Sequence, residues 1–495
     1  MSKMLRNILI MIILVAVAAG AVLLTSNLGK SDADLQAEPT ADPAQYLYVD
    51  YPVDEIVDIT VENKSGTYTL YRTESASGEQ AADESADMIW KLKGNEGVDI
   101  DQGDAGSLAR YASYLYINEV ITEDMSRKAE FGLEDYAAKV TVSFTDGETR
   151  VYYYGNQVPA EPAYYMYMEG EDKIFTVSSS YGYYMNLSAY DLYALAQIGL
   201  TANDITEVRL ERDGQVVFHT KPAENILGLG GFDIVEPFWH MVNGDSHVKL
   251  CSAIESLSVE GVIDTSANLA KYGLDDPWGK LTVTGRNGLT RVFLVGDKLD
   301  DTYTACTFEG DGNIYKAYTA TLGVFDYNTY QMVDKYLAML NIANVDKVTL
   351  SGFGIDSVVL GIEKEPQFDE NGEPKLNASK EQVYNNIFSK NGKVLGQENN
   401  EQGTWYYQRL IVVMSNTILT PEEFSLEGLE PVGSIVFDLS IDPGVYTVEF
   451  YQYNDDFYAV SVNGQAYLHK VADSEIRKML AGAEDFLSGE IQKPY

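Results

Sequence analysis

The chain has 495 residues and a formal net charge of −40, with 75 acidic and 35 basic residues. An acidic surface repels the phosphates of nucleic acids and anionic lipids. No nucleic acid is therefore expected as a partner, and the folded part should stand away from the bilayer surface. The acidity indicates solubility or, alternatively, a surface that collects divalent cations or a basic partner.

Two cysteines, Cys251 and Cys306, are too few for a disulfide-rich scaffold or a zinc ribbon. They could form one disulfide in an oxidising environment. The preferred alternative is two buried free thiols that act as small apolar side chains.

The amino terminus has the pattern of a membrane anchor. Lys3 and Arg6 precede an apolar run over residues 8–24. As a helix this run would span roughly 26 Å, just under the thickness of a bilayer core. Basic flanks stay on the cytoplasmic side, so residues 1–30 are predicted to form one transmembrane helix with the bulk of the chain outside the cytoplasm.

A cleaved signal peptide is the alternative for this segment. Ala16-Val17-Ala18 has the small-x-small form of a cleavage site, but it lies in the middle of the apolar run. An uncleaved anchor is therefore preferred. Residues 31–45 have almost no apolar content and predict a disordered stalk between membrane and fold.

The remainder of the chain contains a repeated block. Ala129-Glu130-Phe131-Gly132-Leu133-Glu134-Asp135 matches Ala270-Lys271-Tyr272-Gly273-Leu274-Asp275-Asp276, and the register continues without a gap into two predicted strands. Gly428-Leu429-Glu430-Pro431 begins a weaker third copy. The sequence therefore predicts three tandem repeats, at residues 46–199, 200–340 and 341–495.

Within a repeat, alternating apolar residues predict antiparallel hairpins, and apolar residues at helical spacing predict two helices. The first helix contains Leu108 and Leu115 in the first copy and Leu250, Ile254 and Leu257 in the second. A closing helix is predicted at residues 191–197, 333–340 and 474–480. The predicted fold class is α+β. Two segments interrupt the pattern: a flexible loop at residues 73–87, and a polar insertion at residues 363–403 that is either disordered or functional.

The residue patterns that usually perform chemistry are mostly missing. His240 and His247 are seven residues apart, whereas metal ligands on one helix are usually three or four apart. Residues 228–231 are rich in glycine but lack the lysine of a phosphate loop. Residues 99–104 resemble the start of a calcium loop without its closing glutamate. The sequence thus predicts no catalytic residue, no cofactor and no metal site.

Tyrosine is abundant, with 36 residues, several of them adjacent. Consecutive tyrosines in a strand face both sides of a sheet, so about half of them should be at least partly exposed. Exposed tyrosines favour contact with proteins or sugar rings. The preferred alternative is that they are ordinary strand residues that tolerate half-burial.

The anchor, the hairpins and the blocks Phe131-Gly132-Leu133-Glu134 and Tyr272-Gly273-Leu274-Asp275 resemble the bacterial family catalogued as domain of unknown function 4340. The resemblance implies a membrane-anchored protein that accompanies ABC transport systems of the gliding-motility type, with no established enzymatic residues. We therefore expect a non-enzymatic, extracytoplasmic accessory or scaffold protein with a protein partner in a membrane transport complex. The alternative is a cell-surface module that binds wall glycan or another carbohydrate.

Overall fold

The computed structural model describes residues 46–74, 88–225, 227–228, 231–377, 380 and 382–493. The predicted anchor and stalk, residues 1–45, lie outside this part of the chain, as does most of the predicted loop at residues 73–87. Among the helices of the described residues, none has the length and apolar character that crossing a membrane requires. The transmembrane helix included in the predicted fold thus has no counterpart there.

The first repeat forms one large and one small antiparallel sheet. Its strands are β1 (Tyr46–Asp50), β2 (Ile56–Asn63), β3 (Gly66–Glu74), β4 (Met88–Leu92), β5 (Tyr114–Ile117), β6 (Glu119–Thr122), β7 (Ala138–Phe144), β8 (Thr149–Gln157), β9 (Ala163–Met168) and β10 (Ile174–Ser178). Strands β1 and β5 pair with each other, and the large sheet has the order β4-β3-β2-β7-β8-β9-β10-β6.

The second repeat forms a nine-stranded sheet. Its strands are β11 (Ile205–Arg212), β12 (Gln215–Pro222), β13 (Phe232–Glu236), β14 (His240–Met241), β15 (Gly261–Asp264), β16 (Gly279–Gly285), β17 (Thr290–Lys298), β18 (Tyr303–Phe308) and β19 (Ile314–Tyr318). Their order is β14-β13-β12-β11-β16-β17-β18-β19-β15.

The third repeat has the same topology. Its strands are β20 (Val345–Gly352), β21 (Ile355–Pro366), β22 (Tyr384–Lys390), β23 (Lys393–Val394), β24 (Thr417–Leu419), β25 (Gly433–Leu439), β26 (Val445–Gln452), β27 (Phe457–Val462) and β28 (Leu468–Ala472). Their order is β23-β22-β21-β20-β25-β26-β27-β28-β24. We call the repeated block the glycine-leucine block, after Gly132-Leu133, Gly273-Leu274 and Gly428-Leu429. In every large sheet, the first long strand of the repeat pairs with the strand that follows this block: β2 with β7, β11 with β16, and β20 with β25.

The helices are α1 (Gln102–Ser113), α2 (Ser179–Met185), α3 (Gly244–Glu255), α4 (Thr329–Met332), α5 (Asn400–Ile411) and α6 (Asp473–Ser488). Strands account for 43% of the structure and form four antiparallel sheets, whereas helices, including short 3₁₀ turns, account for 22%. The prediction of α+β repeats with two helices each was therefore wrong, because the fold is mainly β-sheet.

The closing helices account for part of this error. Within residues 191–197, a short 3₁₀ turn ends at Leu192. The backbone is extended at Tyr193, which forms a bridge with Ile100. Residues 333–340 form isolated backbone bridges, a bend and a turn in place of a helix. Val333 bridges to Val242, and Tyr336 bridges to Met414 of the third repeat. Hydrogen bonds with neighbouring segments satisfy the backbone N–H and C=O groups of these residues. Tertiary pairing therefore overrides the helical pattern of the local sequence.

The described chain packs as two compact units. One contains the first repeat with residues 261–263, and the other contains the rest of the second repeat together with the third. In the second unit, Leu227 and Met241 of the second repeat share a hydrophobic core with residues of the third, including Phe437 and Tyr446. The second and third repeats therefore form one body.

The glycine-leucine block owes its recurrence to close packing. Gly132 and Gly273 have positive φ angles of 71° and 66°, which favour glycine. A Cβ atom on Gly155 or Gly296 would lie 2.3 or 2.1 Å from the carbonyl oxygen of Phe131 or Tyr272, respectively. The first and second repeats therefore need glycine both in the block and in the strand that lies against it.

Candidate functional site

A cleft of about 660 Å³ opens where the second repeat meets the third. We call it the junction cleft. Its lining includes Lys221, Glu224, Asp233 and Trp239 from the second repeat and Asp442 and Gln465 from the third. Small-molecule sites usually occupy roughly 300–1,000 Å³ and combine apolar walls with a few polar groups. The junction cleft has the size of such a site.

Strand alternation brings two charged residues of the cleft together. In the register between β12 and β13, Lys221 is opposite Asp233, and Thr220 is opposite Ile234. Thr220 and Ile234 are fully buried, so Lys221 and Asp233 belong to the opposite face of the sheet. The connection between these strands supplies Glu224.

Trp239 forms a fixed aromatic wall of the cleft. Its indole Nε1–H donates to Oδ2 of Asp233 over 3.1 Å. Its backbone carbonyl accepts a hydrogen bond of 2.8 Å from Nε2 of Gln465, which lies in the third repeat. The ring also makes an edge contact with Tyr446, at 6.2 Å between centroids. Both repeats therefore hold the position of this side chain.

The cleft is acidic, and its basic residue is already paired. Nζ of Lys221 lies 3.6 Å from Oε2 of Glu207, outside the cleft lining. Burial raises the pKa of Asp233 above its usual range, and the negative charge of Glu224 adds to this effect. The Trp239 hydrogen bond opposes the increase. The ionised Asp233 has thus lost part of its hydration without gaining a cationic partner among the described residues.

A pair of buried histidines lies beside the cleft. His240 in β14 and His469 in β28 are each 1% exposed, and their ring centroids are 4.6 Å apart. His240 Nδ1 contacts the Met241 carbonyl oxygen at 2.9 Å. Burial lowers the pKa of His240 to about 4. Burial, together with the neighbouring His240, also holds the pKa of His469 well below its usual range. Both rings are therefore neutral at pH 7.

His247 and Cys251, considered above as candidate ligand and thiol, lie on the same face of α3. Nε2 of His247 is 3.5 Å from Sγ of Cys251, and the imidazole packs at 3.9 Å on the ring of Phe232. Burial raises the pKa of Cys251 to about 11. Cys251 and Cys306 are both free and buried. No group of three or more His, Cys, Asp or Glu side chains among the described residues is arranged to hold a metal.

The remaining sequence candidates have structural roles. Asp101 caps α1 by accepting a hydrogen bond of 2.9 Å from the Asp104 backbone N–H. Gly228 packs against Met241 and the Met339 carbonyl group, where a Cβ atom would lie 2.7 Å from the Met241 sulfur. Asp101 and Gly228 therefore serve the local fold, and residues 229 and 230 lie outside the described residues.

The adjacent tyrosines divide between buried and partly exposed positions. Tyr152, Tyr154, Tyr406 and Tyr407 are all at most 3% exposed, whereas Tyr183 is 61% exposed. The other four are partly exposed: Tyr153, Tyr164, Tyr165 and Tyr184. About half of these tyrosines are thus at least partly exposed.

The sequence did not identify the junction cleft. No pattern in the sequence marks Trp239, Asp233 or Gln465 as residues of one site. Residues 239 and 465 meet only after folding, so no local pattern links them.

The fold and the cleft together define a tandem-repeat, antiparallel β protein with a ligand-sized cleft between two of its repeats. The chain belongs to the family described as Domain of unknown function (DUF4340), whose model matches residues 90–262 and 233–402. The two matches are offset by about one repeat, as expected for a duplicated domain. No curated protein and no solved structure matches the chain.

Proposed function

We propose that this protein is a non-enzymatic, extracytoplasmic accessory or scaffold protein of an ABC-type transport complex. Its amino-terminal apolar segment, residues 8–24, would keep it at the cell membrane with the repeats outside the cytoplasm. The protein would act by contact with a membrane partner. Membership of the family and the tandem repeats support this proposal.

An exposed apolar arm in the third repeat carries the proposal. The arm comprises the described residues between β21 and the start of β22, namely 367–377, 380 and 382–384. Phe368, Leu376 and Tyr384 are 58%, 53% and 50% exposed, respectively. Single exposed apolar residues are common, but several on one segment are typical of a protein contact surface.

Backbone hydrogen bonds shape this arm. The Gln367 N–H donates to the Val383 carbonyl oxygen, and the Val383 N–H donates to the Lys375 carbonyl oxygen, both over 2.8 Å. Phe368 bridges to Pro374, and Leu376 bridges to Gln382. A segment with this internal pairing can present apolar side chains to a partner at a low entropic cost.

Affinity purification from mildly solubilised membranes tests the proposal. The full-length chain should recover an ABC permease or ATPase. The double variant Phe368→Ser/Leu376→Ser should recover much less of it, because it removes the apolar contacts of the arm. Val248→Ser is the matched control, since Val248 is 64% exposed on α3. Consistent recovery of the chain without any membrane partner would count against the proposal.

The alternative is a cell-surface module that binds wall glycan or another carbohydrate. Of the nine tyrosines in the adjacent runs, four are buried and five are at least partly exposed. A neutral glucan oligosaccharide is therefore one of the probes for the junction cleft.

A further inference from the structure

From the geometry of the junction cleft we infer a binding site for a ligand that carries a protonated alkylamine. The ammonium group would lie between the carboxylates and the face of Trp239. The alkyl chain would lie along the apolar part of the lining. A free diamine and a lysine side chain of a peptide share this chemistry.

The charge balance of the lining favours a cation. Glu224, Asp233 and Asp442 contribute three carboxylates against the single ammonium group of Lys221, which is directed toward Glu207. Opposite charges attract more strongly where water is partly excluded. An anionic ligand such as phosphate would meet an excess of negative charge and is therefore disfavoured.

Asp233 provides the most specific feature. Its Oδ2 accepts the hydrogen bond from the Trp239 indole, and its Oδ1 accepts none from any described residue. A partly buried carboxylate oxygen without a partner has lost hydration that a ligand N–H can restore. Because Oδ2 is already occupied, the carboxylate orientation is set before a ligand arrives.

Trp239 favours an ammonium ion over a neutral group of the same size. The bond from its indole N–H to Asp233 fixes the ring, and the bond from Gln465 to its backbone carbonyl oxygen fixes the main chain. A cation near an indole face gains roughly 0.5–2 kcal/mol from the ring quadrupole. Val235 and Pro443 add apolar surface to the lining, which suits methylene groups.

Isothermal titration calorimetry on the full-length chain tests this inference. The probes are 1,5-diaminopentane, Nα-acetyl-lysine amide, 1,5-pentanediol, a neutral glucan oligosaccharide and inorganic phosphate. We expect one or both amines to bind more tightly than the diol, the glucan and phosphate, with affinity falling as salt rises. Tighter binding of the diamine points to a free polyamine, whereas tighter binding of the lysine derivative points to a peptide.

Three variants locate the binding. Asp233→Asn and Glu224→Gln should each weaken the amine by about tenfold. Trp239→Leu should reduce the preference for the amine over the diol. Asp301→Asn, at an exposed turn of the second repeat, is the matched control and should leave binding unchanged. If Asp233→Asn or Trp239→Leu lowers the temperature of thermal unfolding, Glu224→Gln still tests the site. Glu224 is exposed, so its substitution should leave the fold intact.

Three results would overturn the inference. They are equal or tighter binding of the diol, the glucan or phosphate, unchanged amine affinity in both carboxylate variants, or no amine binding at millimolar concentration. The Phe368→Ser/Leu376→Ser variant should bind the amine normally, because the arm does not line the cleft. Its result separates failure of the cleft site from failure of the proposed scaffold role.

Discussion

The second and third repeats have the same strand order, but they differ in the connection between their second and third strands. In the second repeat, this connection supplies Glu224, Asn225 and Leu227 to the lining of the junction cleft. In the third repeat, the same connection is the exposed apolar arm. One topological position has thus diverged into part of a concave site in one repeat and an exposed apolar surface in the other.

The two repeats also differ in the packing of the glycine-leucine block. The registers place Tyr451 of the third repeat where the second has Gly296. A Cβ atom on Gly428, in the third block, would meet nothing within 4 Å. The third repeat thus keeps the strand order without the close glycine contact. Residues that the repeats share serve mainly the fold. The candidate functional residues lie where the repeats differ.

The largest expected effect concerns the histidine pair, which contributes one ring from each repeat. The unfolded pKa of histidine is about 6.5, whereas the folded pKa of His240 is about 4. Above pH 6.5, the ring is neutral in both the folded and the unfolded chain, so its burial carries no protonation cost and this part of the stability is fully present. As the pH falls toward 4, the unfolded chain binds a proton that the buried ring does not, so about 3 kcal/mol is lost.

Urea unfolding as a function of pH measures this loss. The variant His240→Gln should show a shallower decline in the free energy of unfolding between pH 6.5 and 4 than the natural chain. Carboxylates also titrate in this range, but they contribute to both profiles and largely cancel in the difference. Parallel profiles would show that His240 is not responsible.

The next largest effect on stability is expected in the glycine-leucine block, whose packing differs between the second and third repeats. Gly296→Ala places a Cβ atom 2.1 Å from the Tyr272 carbonyl oxygen and should cost about 2 kcal/mol of unfolding free energy. Gly428→Ala has open space and a positive φ of 76°, so it should cost only about 1 kcal/mol. Urea unfolding monitored by circular dichroism compares them. Equal costs would mean that the close contact does not distinguish the repeats.

Much of the sheet followed from local sequence, whereas contacts between distant segments did not. The antiparallel hairpins that alternating apolar residues predict are present, for example between β7 and β8. Residues 333–340 were predicted as a helix, although their backbone pairs with other segments, as at the Leu337 N–H and the Val413 carbonyl oxygen. The junction cleft depends on the bond from Gln465 to Trp239 across 226 positions. Only the three-dimensional arrangement reveals such a pair.

A smaller effect tests whether the two repeats hold the cleft together. Gln465→Ala removes the side-chain donor to the Trp239 carbonyl oxygen and should cost about 1 kcal/mol. It should also weaken the binding of 1,5-diaminopentane, because Trp239 loses one of its two hydrogen-bond anchors. Gln215→Ala, at an exposed position of the second repeat outside the cleft lining, is the matched control. A change in stability without any change in amine affinity would separate repeat packing from ligand binding.

The smallest effect on stability is expected for substitutions in the arm. Their effect distinguishes a contact surface from a segment that the fold requires. Phe368→Ser and Leu376→Ser change side chains that are more than half exposed, so each should alter the unfolding free energy by less than about 0.5 kcal/mol. Phe388→Ser, in adjacent β22, should cost several times more because Phe388 is 1% exposed. Urea unfolding provides the comparison. If the arm variants destabilised the chain as much as Phe388→Ser, the exposed apolar residues would be serving the fold, and any loss of partner recovery would reflect unfolding.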